Sequence, residues 1–110
     1  MSIVVFDIGG SAVKFGLWQE DALTGKGSFG TPKTWNAMKA EMKSVFDGFA
    51  AAGSIEGVAI SSPGAVDSDA GIIGGISAVP YIHHFPIKVE WETLFGNPVS
   101  VENDANCAAL

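Results

Sequence analysis

At 110 residues, 47% hydrophobic and 16% charged, the chain has the composition of one packed domain and not of a disordered segment. Its net charge of −6 includes only six Lys plus Arg, too little basic material for a nucleic-acid surface. One cysteine excludes an internal disulfide and fits a reducing cytoplasm, and the apolar start Ile3 to Phe6 is too short for a signal segment or a membrane span. Ile3-Val4-Val5-Phe6 is continuous and β-branched, like a strand buried on both faces. Asp7-Ile8-Gly9-Gly10-Ser11 reads as a tight turn, with Val13 to Trp18 as the return strand of a hairpin. Leu23 to Thr31 is a third strand interrupted by glycines. Thr34 is a helix N-cap, followed by Trp35, Met38, Met42, Val45, Phe46 and Phe49 on one apolar face; Ala50 to Ala52 extend that helix and Gly53 ends it. Gly57 to Ser61 is a short buried strand. Ser62 to Pro80 is Gly-rich and reads as a long functional loop, with a small hairpin around Gly71 to Ile76. Lys88 to Phe95 is a short helix closed by Gly96-Asn97, Pro98 to Val101 the last strand, and the alanine-rich end a final helix.

Three segments carry candidate chemistry. In the first, Gly9 and Gly10 allow positive φ and expose backbone N–H groups that can cradle a phosphate. Asp7 suits Mg²⁺ or a metal-bound water better than the phosphate itself, because like charges repel, and Lys14 can offset phosphate charge. An ordinary Gly-Gly hairpin with a surface aspartate fits the same residues. In the second, Pro63-Gly64 fixes a turn after a buried strand, and Gly64 lets a ligand approach the main chain; taken alone, the segment fits a plain tight turn better. In the third, Asn103 and Asp104 stand at a strand's carboxyl end, where open α/β sheets bind ligands. A carboxylate there can take a proton while the amide binds hydroxyls, although Asp104 is also a good helix N-cap.

Other patterns fail on context. Gly25-Lys26-Gly27-Ser28-Phe29-Gly30 spells G-x-G-x-x-G, but Thr31-Pro32 follows where a dinucleotide site needs a helix. No Walker loop is present. His83-His84 with Cys107 lacks zinc-ligand spacing and reads as a satisfied or exposed loop pair, with Cys107 a small buried residue.

Taken in order, Asp7-Ile8-Gly9-Gly10-Ser11 with Lys14, Ser62-Pro63-Gly64-Ala65-Val66-Asp67 with Gly71-Ile72, and Glu102-Asn103-Asp104-Ala105-Asn106-Cys107-Ala108-Ala109-Leu110 resemble the amino-terminal lobe of ROK family sugar kinases. The resemblance spans essentially all 110 residues and implies an α/β, ribonuclease H-like lobe of the actin/hexokinase/Hsp70 superfamily, ordered β-β-β-α-β-α-β-α. A second lobe would follow. It implies ATP-dependent phosphorylation of a hexose or hexose derivative, with Mg²⁺, Asp104 as catalytic base and Asn103 beside it on the ring hydroxyls. Gly64 and Ala65 would contact the sugar, as would Ser77. Asp7, Gly9, Gly10 and Ser11 would form the first phosphate loop, with Asp7 near the metal and Lys14 part of the same pattern. The family's zinc motif and further sugar ligands would lie beyond Leu110, so structural Zn²⁺ is expected only there. The implied partners are sugar and ATP, with a homodimer formed through the other lobe and no nucleic acid or membrane. A family repressor would need a helix-turn-helix ahead of residue 7; a non-catalytic sugar sensor or regulator is the alternative. The apolar, uncapped Ala108-Ala109-Leu110 is expected to continue, and the 110 residues alone are expected to be inactive.

Overall fold

The computed structural model describes residues 1–67, 69–75 and 77–103. Five strands form the main sheet: β1 (Ser2–Ile8), β2 (Ala12–Gln19), β3 (Ala22–Gly30), β4 (Gly57–Ser62) and, last in the chain, β7 (Val99–Asn103). Their spatial order is β3-β2-β1-β4-β7. The two hairpins β1–β2 and β2–β3 are antiparallel, while β4 and β7 add to β1 in parallel. Parallel addition needs a crossover, and each crossover here carries a helix: α1 (Trp35–Ala50) between β3 and β4, and α2 (Ile87–Phe95) between β4 and β7. This is the mixed α/β sheet of the ribonuclease H-like lobe, as the resemblance implies.

Both helices cover one face of the sheet. Alternation along β1 sends Val4, Phe6 and Ile8 into that layer, where they are fully buried. Met38, Met42 and Phe46 of α1 and Ile87, Trp91 and Phe95 of α2 meet them. Phe95 stacks on Phe6 and lies tilted against Phe46, joining both helices to the central strand. The opposite face is less covered: Ile3 and Val5 are half-buried and Asp7 is exposed. The expectation that β1 is buried on both faces is therefore corrected, because a continuous β-branched run does not reveal whether a second layer packs on it.

Local signals mostly hold. Thr34 caps α1, its side chain accepting from the Ala37 N–H at 3.2 Å. The helix stops at Ala50, earlier than Gly53, with Ala51 closing it in right-handed backbone. Gly96 ends α2 at φ 63°, the left-handed closure its residue type favours. The Gly-rich stretch after β4 is more ordered than a loop. It holds a hairpin of β5 (Ala65–Asp67) and β6 (Ile72–Gly74), then a 3-10 turn over Pro80–Ile82. The hairpin begins earlier than the expected Gly71 to Ile76, because Asp67 organises its turn by accepting from the Ala70 N–H and, through its carbonyl, the Gly71 N–H. The Gly25 to Gly30 run lies inside β3, which disposes of a dinucleotide loop there. The expected final helix falls on residues 104–110, outside the described residues.

Candidate functional site

The carboxyl ends of β1, β4 and β7 lie side by side on one edge of the sheet, because all three run parallel. Asp7, Ser61 and Glu102 share one register row, and Ser62 and Asn103 share the next. Residues in one row point to one face. Asp7, Ser61 and Glu102 therefore face away from the helices, while Ser62 and Asn103 face the helix side.

On the helix side, three segments distant in sequence meet. Asn103 donates from Nδ2 to the Gly64 carbonyl. Gly64 adopts φ +96°, and a Cβ there would stand 2.7 Å from His83 Cε1 and 2.9 Å from the Gly74 carbonyl. Both conformation and space thus require glycine. The next member is Ser77, whose Oγ lies 2.7 Å from His83 Nε2. Gly64, Ser77 and Asn103, the sugar contacts that the family resemblance implies, belong to one cluster linked by hydrogen bonds and a close backbone approach. Ala65 follows at the start of β5, exposed and opposite Gly74.

The first turn adjoins that cluster. The Gly9 N–H donates to the Ala12 carbonyl at 3.0 Å, which closes the hairpin over Gly10 and Ser11. Neither Gly9 nor Gly10 has positive φ, so the expected reason for two glycines is corrected. Space is the reason: a Cβ on Gly9 would meet the Ala12 carbonyl at 2.9 Å, and one on Gly10 would meet Ala78 Cβ at 2.9 Å. Gly10 therefore lets the turn lie against the residue after Ser77. Thr31 holds the turn from the other side, donating from Oγ1 to the Gly9 carbonyl at 2.6 Å and from its N–H to the Ser11 carbonyl at 3.1 Å.

Asp7 and Lys14 are cross-strand neighbours on the open face, both exposed. Opposite charges at directly facing cross-strand positions favour this register. They border a groove of about 450 Å³ whose walls include Val5, Leu23, Lys26 and Ser28. That groove lies across the sheet from the Gly64–Ser77–Asn103 cluster. Among the described residues, no three His, Cys, Asp or Glu side chains gather as a metal site. A magnesium ion needs no such cage: it keeps most of its waters and takes one or two carboxylates plus phosphate oxygens, a donor set that exposed Asp7 beside the turn fits. Asp104 and Cys107 lie outside the described residues.

Two residues of this edge escaped the sequence. Thr31 looked like a mere interruption of a false motif. His83 looked like half of an idle histidine pair, yet only His84 is exposed, at φ 67°, while His83 is partly buried against Gly64 and Ser77. Their roles depend on contacts across the fold: 22 residues separate Thr31 from Gly9 in the chain.

The sheet order and this parallel edge are those of a lobe of the actin/hexokinase-like fold. The chain belongs to the ROK family, whose model matches residues 3–110. It is 39% identical over 113 residues to a β-glucoside kinase of Klebsiella pneumoniae, across 100% of this chain and 37% of that protein. Among solved structures it resembles a ROK family protein from Streptococcus pneumoniae TIGR4 in complex with sucrose, at 38% identity and TM-score 0.87, covering 100% of this chain and 37% of that one. A ROK family glucokinase from Streptomyces griseus in complex with glucose and AMPPNP matches at 28% identity and TM-score 0.85, over 99% of this chain and 35% of its own. The chain thus spans little more than a third of the length of these relatives. Among the described residues, no helix is long and apolar enough to cross a membrane.

Proposed function

We propose that these residues form the sugar- and phosphate-binding lobe of an ATP-dependent kinase acting on a hexose or a hexose derivative. The observation that carries this reading is the joining of Gly64, Ser77 and Asn103 into one polar cluster, with the Gly9-Gly10 turn packed against it at Ala78. A polyol needs several directional donors and acceptors close together, and a phosphoryl donor must lie next to the hydroxyl it reaches. An edge with a hydroxyl and an amide beside the exposed Gly10-Ser11 turn meets both needs.

In this reading Asn103 and Ser77 orient the sugar, and Gly64 lets it approach the backbone. Asp104, the next residue in sequence, is assigned by the family resemblance to accept the proton of the attacking hydroxyl. Phosphoryl transfer depends mainly on positioning and charge neutralisation, so the Gly9 to Ser11 turn, Lys14 and Asp7 serve the phosphate side. Mg²⁺ supplies neutralisation of phosphate charge, and Asp7 would hold it through coordinated water. The β-glucoside kinase similarity favours β-glucosides within the acceptor panel, beside free hexoses and N-acetylhexosamines.

The test is ADP release by the gene product carrying this chain, across that panel, with Asp104→Asn alongside. Turnover on one acceptor class that falls by roughly 10²–10⁴-fold in the variant, the usual weight of a general base, supports the reading. Sugar binding with no turnover on any acceptor replaces it with the non-catalytic sensor.

A further inference from the structure

His83 is held where a loop histidine has no evident reason to be. The 3-10 turn Pro80–Ile82 delivers it, with Val79 just before the turn and Ile82 at its end both buried. Tyr81 within the turn donates from its hydroxyl to the Pro32 carbonyl at 2.6 Å, and the following His84 N–H donates to the Ile73 carbonyl at 2.8 Å. The imidazole is therefore fixed from both flanks. Its Cε1 edge closes on Gly64 and its Nε2 reaches Ser77 Oγ. Its Nδ1 is buried and has no hydrogen-bond partner among the described residues.

That orphaned Nδ1 assigns the tautomer. A proton on Nδ1 would be a buried donor without an acceptor, the costlier of the two ways to leave the atom unmatched. The neutral ring accordingly carries its proton on Nε2 and donates it to Ser77 Oγ. Ser77 Oγ also accepts from the Val79 N–H at 3.1 Å, so both its lone pairs are engaged. Its own proton has only the long 3.4 Å contact to the Val79 carbonyl. A hydroxyl with occupied lone pairs and a weakly held proton offers a ligand a donor, and not an acceptor.

We propose that His83 is a positioning residue of the sugar subsite: by donating from Nε2 it fixes the Ser77 hydroxyl as a hydrogen-bond donor to an oxygen of the sugar, next to Gly64 and Asn103. This rests on the kinase reading of the same edge. A serine set as a donor accommodates an acceptor-only oxygen, such as the ether oxygen of a glycoside, as well as a hydroxyl. A freely rotating serine has no such bias.

The experiment compares Ser77→Ala, His83→Leu, His83→Gln and the Ser77→Ala/His83→Leu pair in the gene product carrying this chain. Steady-state kinetics would vary sugar and ATP separately, and isothermal calorimetry would measure sugar binding without ATP. Loss of one oriented hydrogen bond corresponds to about 3- to 10-fold in affinity. His83→Leu is expected to raise the sugar KM by about that factor, with kcat and the ATP KM within about twofold. Gln places an amide N–H near the position of Nε2 and should restore most of the loss. The pair should be no worse than Ser77→Ala alone, because His83 acts through Ser77. Equal defects in His83→Gln and His83→Leu, or additive defects in the pair, overturn the proposal. If no variant and no wild-type protein turns over any sugar, the kinase reading has failed instead. The calorimetric affinities then decide the role of His83 by the same comparison, and a fold defect is recognised by the unfolding midpoint of His83→Leu against that of His83→Gln.

Discussion

Gly64→Ala gives the sharpest test of the site's geometry. At φ +96° an alanine bears a backbone cost of about 1–2 kcal/mol that glycine escapes. Its methyl would also stand 2.7 Å from His83 Cε1, 2.9 Å from the Gly74 carbonyl oxygen and 3.1 Å from Ile73 Cγ2. The histidine could yield by rotating, at the expense of its contact with Ser77. The carbonyl belongs to the β5–β6 hairpin, at the pair Ala65–Gly74, and can yield only by opening that pair. Overpacking of this kind costs about 1–3 kcal/mol. The expected loss is therefore about 2–5 kcal/mol, read as a lower urea midpoint at unchanged slope. The sugar KM should rise more than the ATP KM, because the cluster and not the first turn is displaced. Gly48→Ala is the matched control. Gly48 lies within α1, has nothing within 4 Å of its would-be Cβ, and should gain about 0.5–1 kcal/mol from better helix propensity. If Gly64→Ala stays within about 0.5 kcal/mol of wild type, the ordinary range for an unconstrained surface site, the tight approach of His83 and the hairpin to Gly64 is wrong.

Thr31→Val keeps the shape of the side chain but removes its 2.6 Å bond to the Gly9 carbonyl; a loss of about 1 kcal/mol and a higher ATP KM at unchanged sugar KM are expected from steady-state kinetics and urea unfolding. Thr34→Ala deletes the α1 N-cap and should lower stability by about 1 kcal/mol with no effect on either KM, measured the same way. Burial raises the Tyr81 hydroxyl pKa above its ordinary value of 10.0, so its contribution is whole below pH 10 and is lost as pH rises through the folded-state value. Tyr81→Phe should therefore flatten the alkaline decline of the unfolding midpoint, and at neutral pH it should lose about 1 kcal/mol with the bond to the Pro32 carbonyl.

Periodicity and caps are local, and they were legible. The apolar stripe of α1, the Thr34 cap, the Gly96 stop and the five main strands all follow from neighbouring residues, with ends displaced by at most two positions. The β5–β6 hairpin was only half legible, because its strands are three residues each and its turn is set by the Asp67 side chain. The sequence suggested left-handed backbone for Gly9-Gly10, where the fold instead needs room beside Ala12 and Ala78. For Gly10 that requirement comes from a segment nearly 70 residues away in the chain, which no local pattern contains. His83 is the same case. Beside His84 it looks idle, and only the 3-10 turn, held by Tyr81 on Pro32, carries it to Ser77.

The arrangement of the edge also explains why three short motifs share one chain at these spacings. The period of two along a strand sends adjacent residues to opposite faces. Asp7, Ser61 and Glu102 therefore end up on the open face, and the row with Ser62 and Asn103 on the helix face. In the proposed reading, a carboxylate for the phosphate side and an amide for the sugar side then stand at the same sheet edge, with the polypeptide between them. What joins the two sides is the turn after β1, packed by Gly10 onto Ala78 and clamped by Thr31. A side chain at residue 10 would push the turn away from the Ser77 segment while leaving the other two motifs intact. Activity is thus expected to be more sensitive to that contact than to the identity of Ala65, which lies exposed at the start of β5.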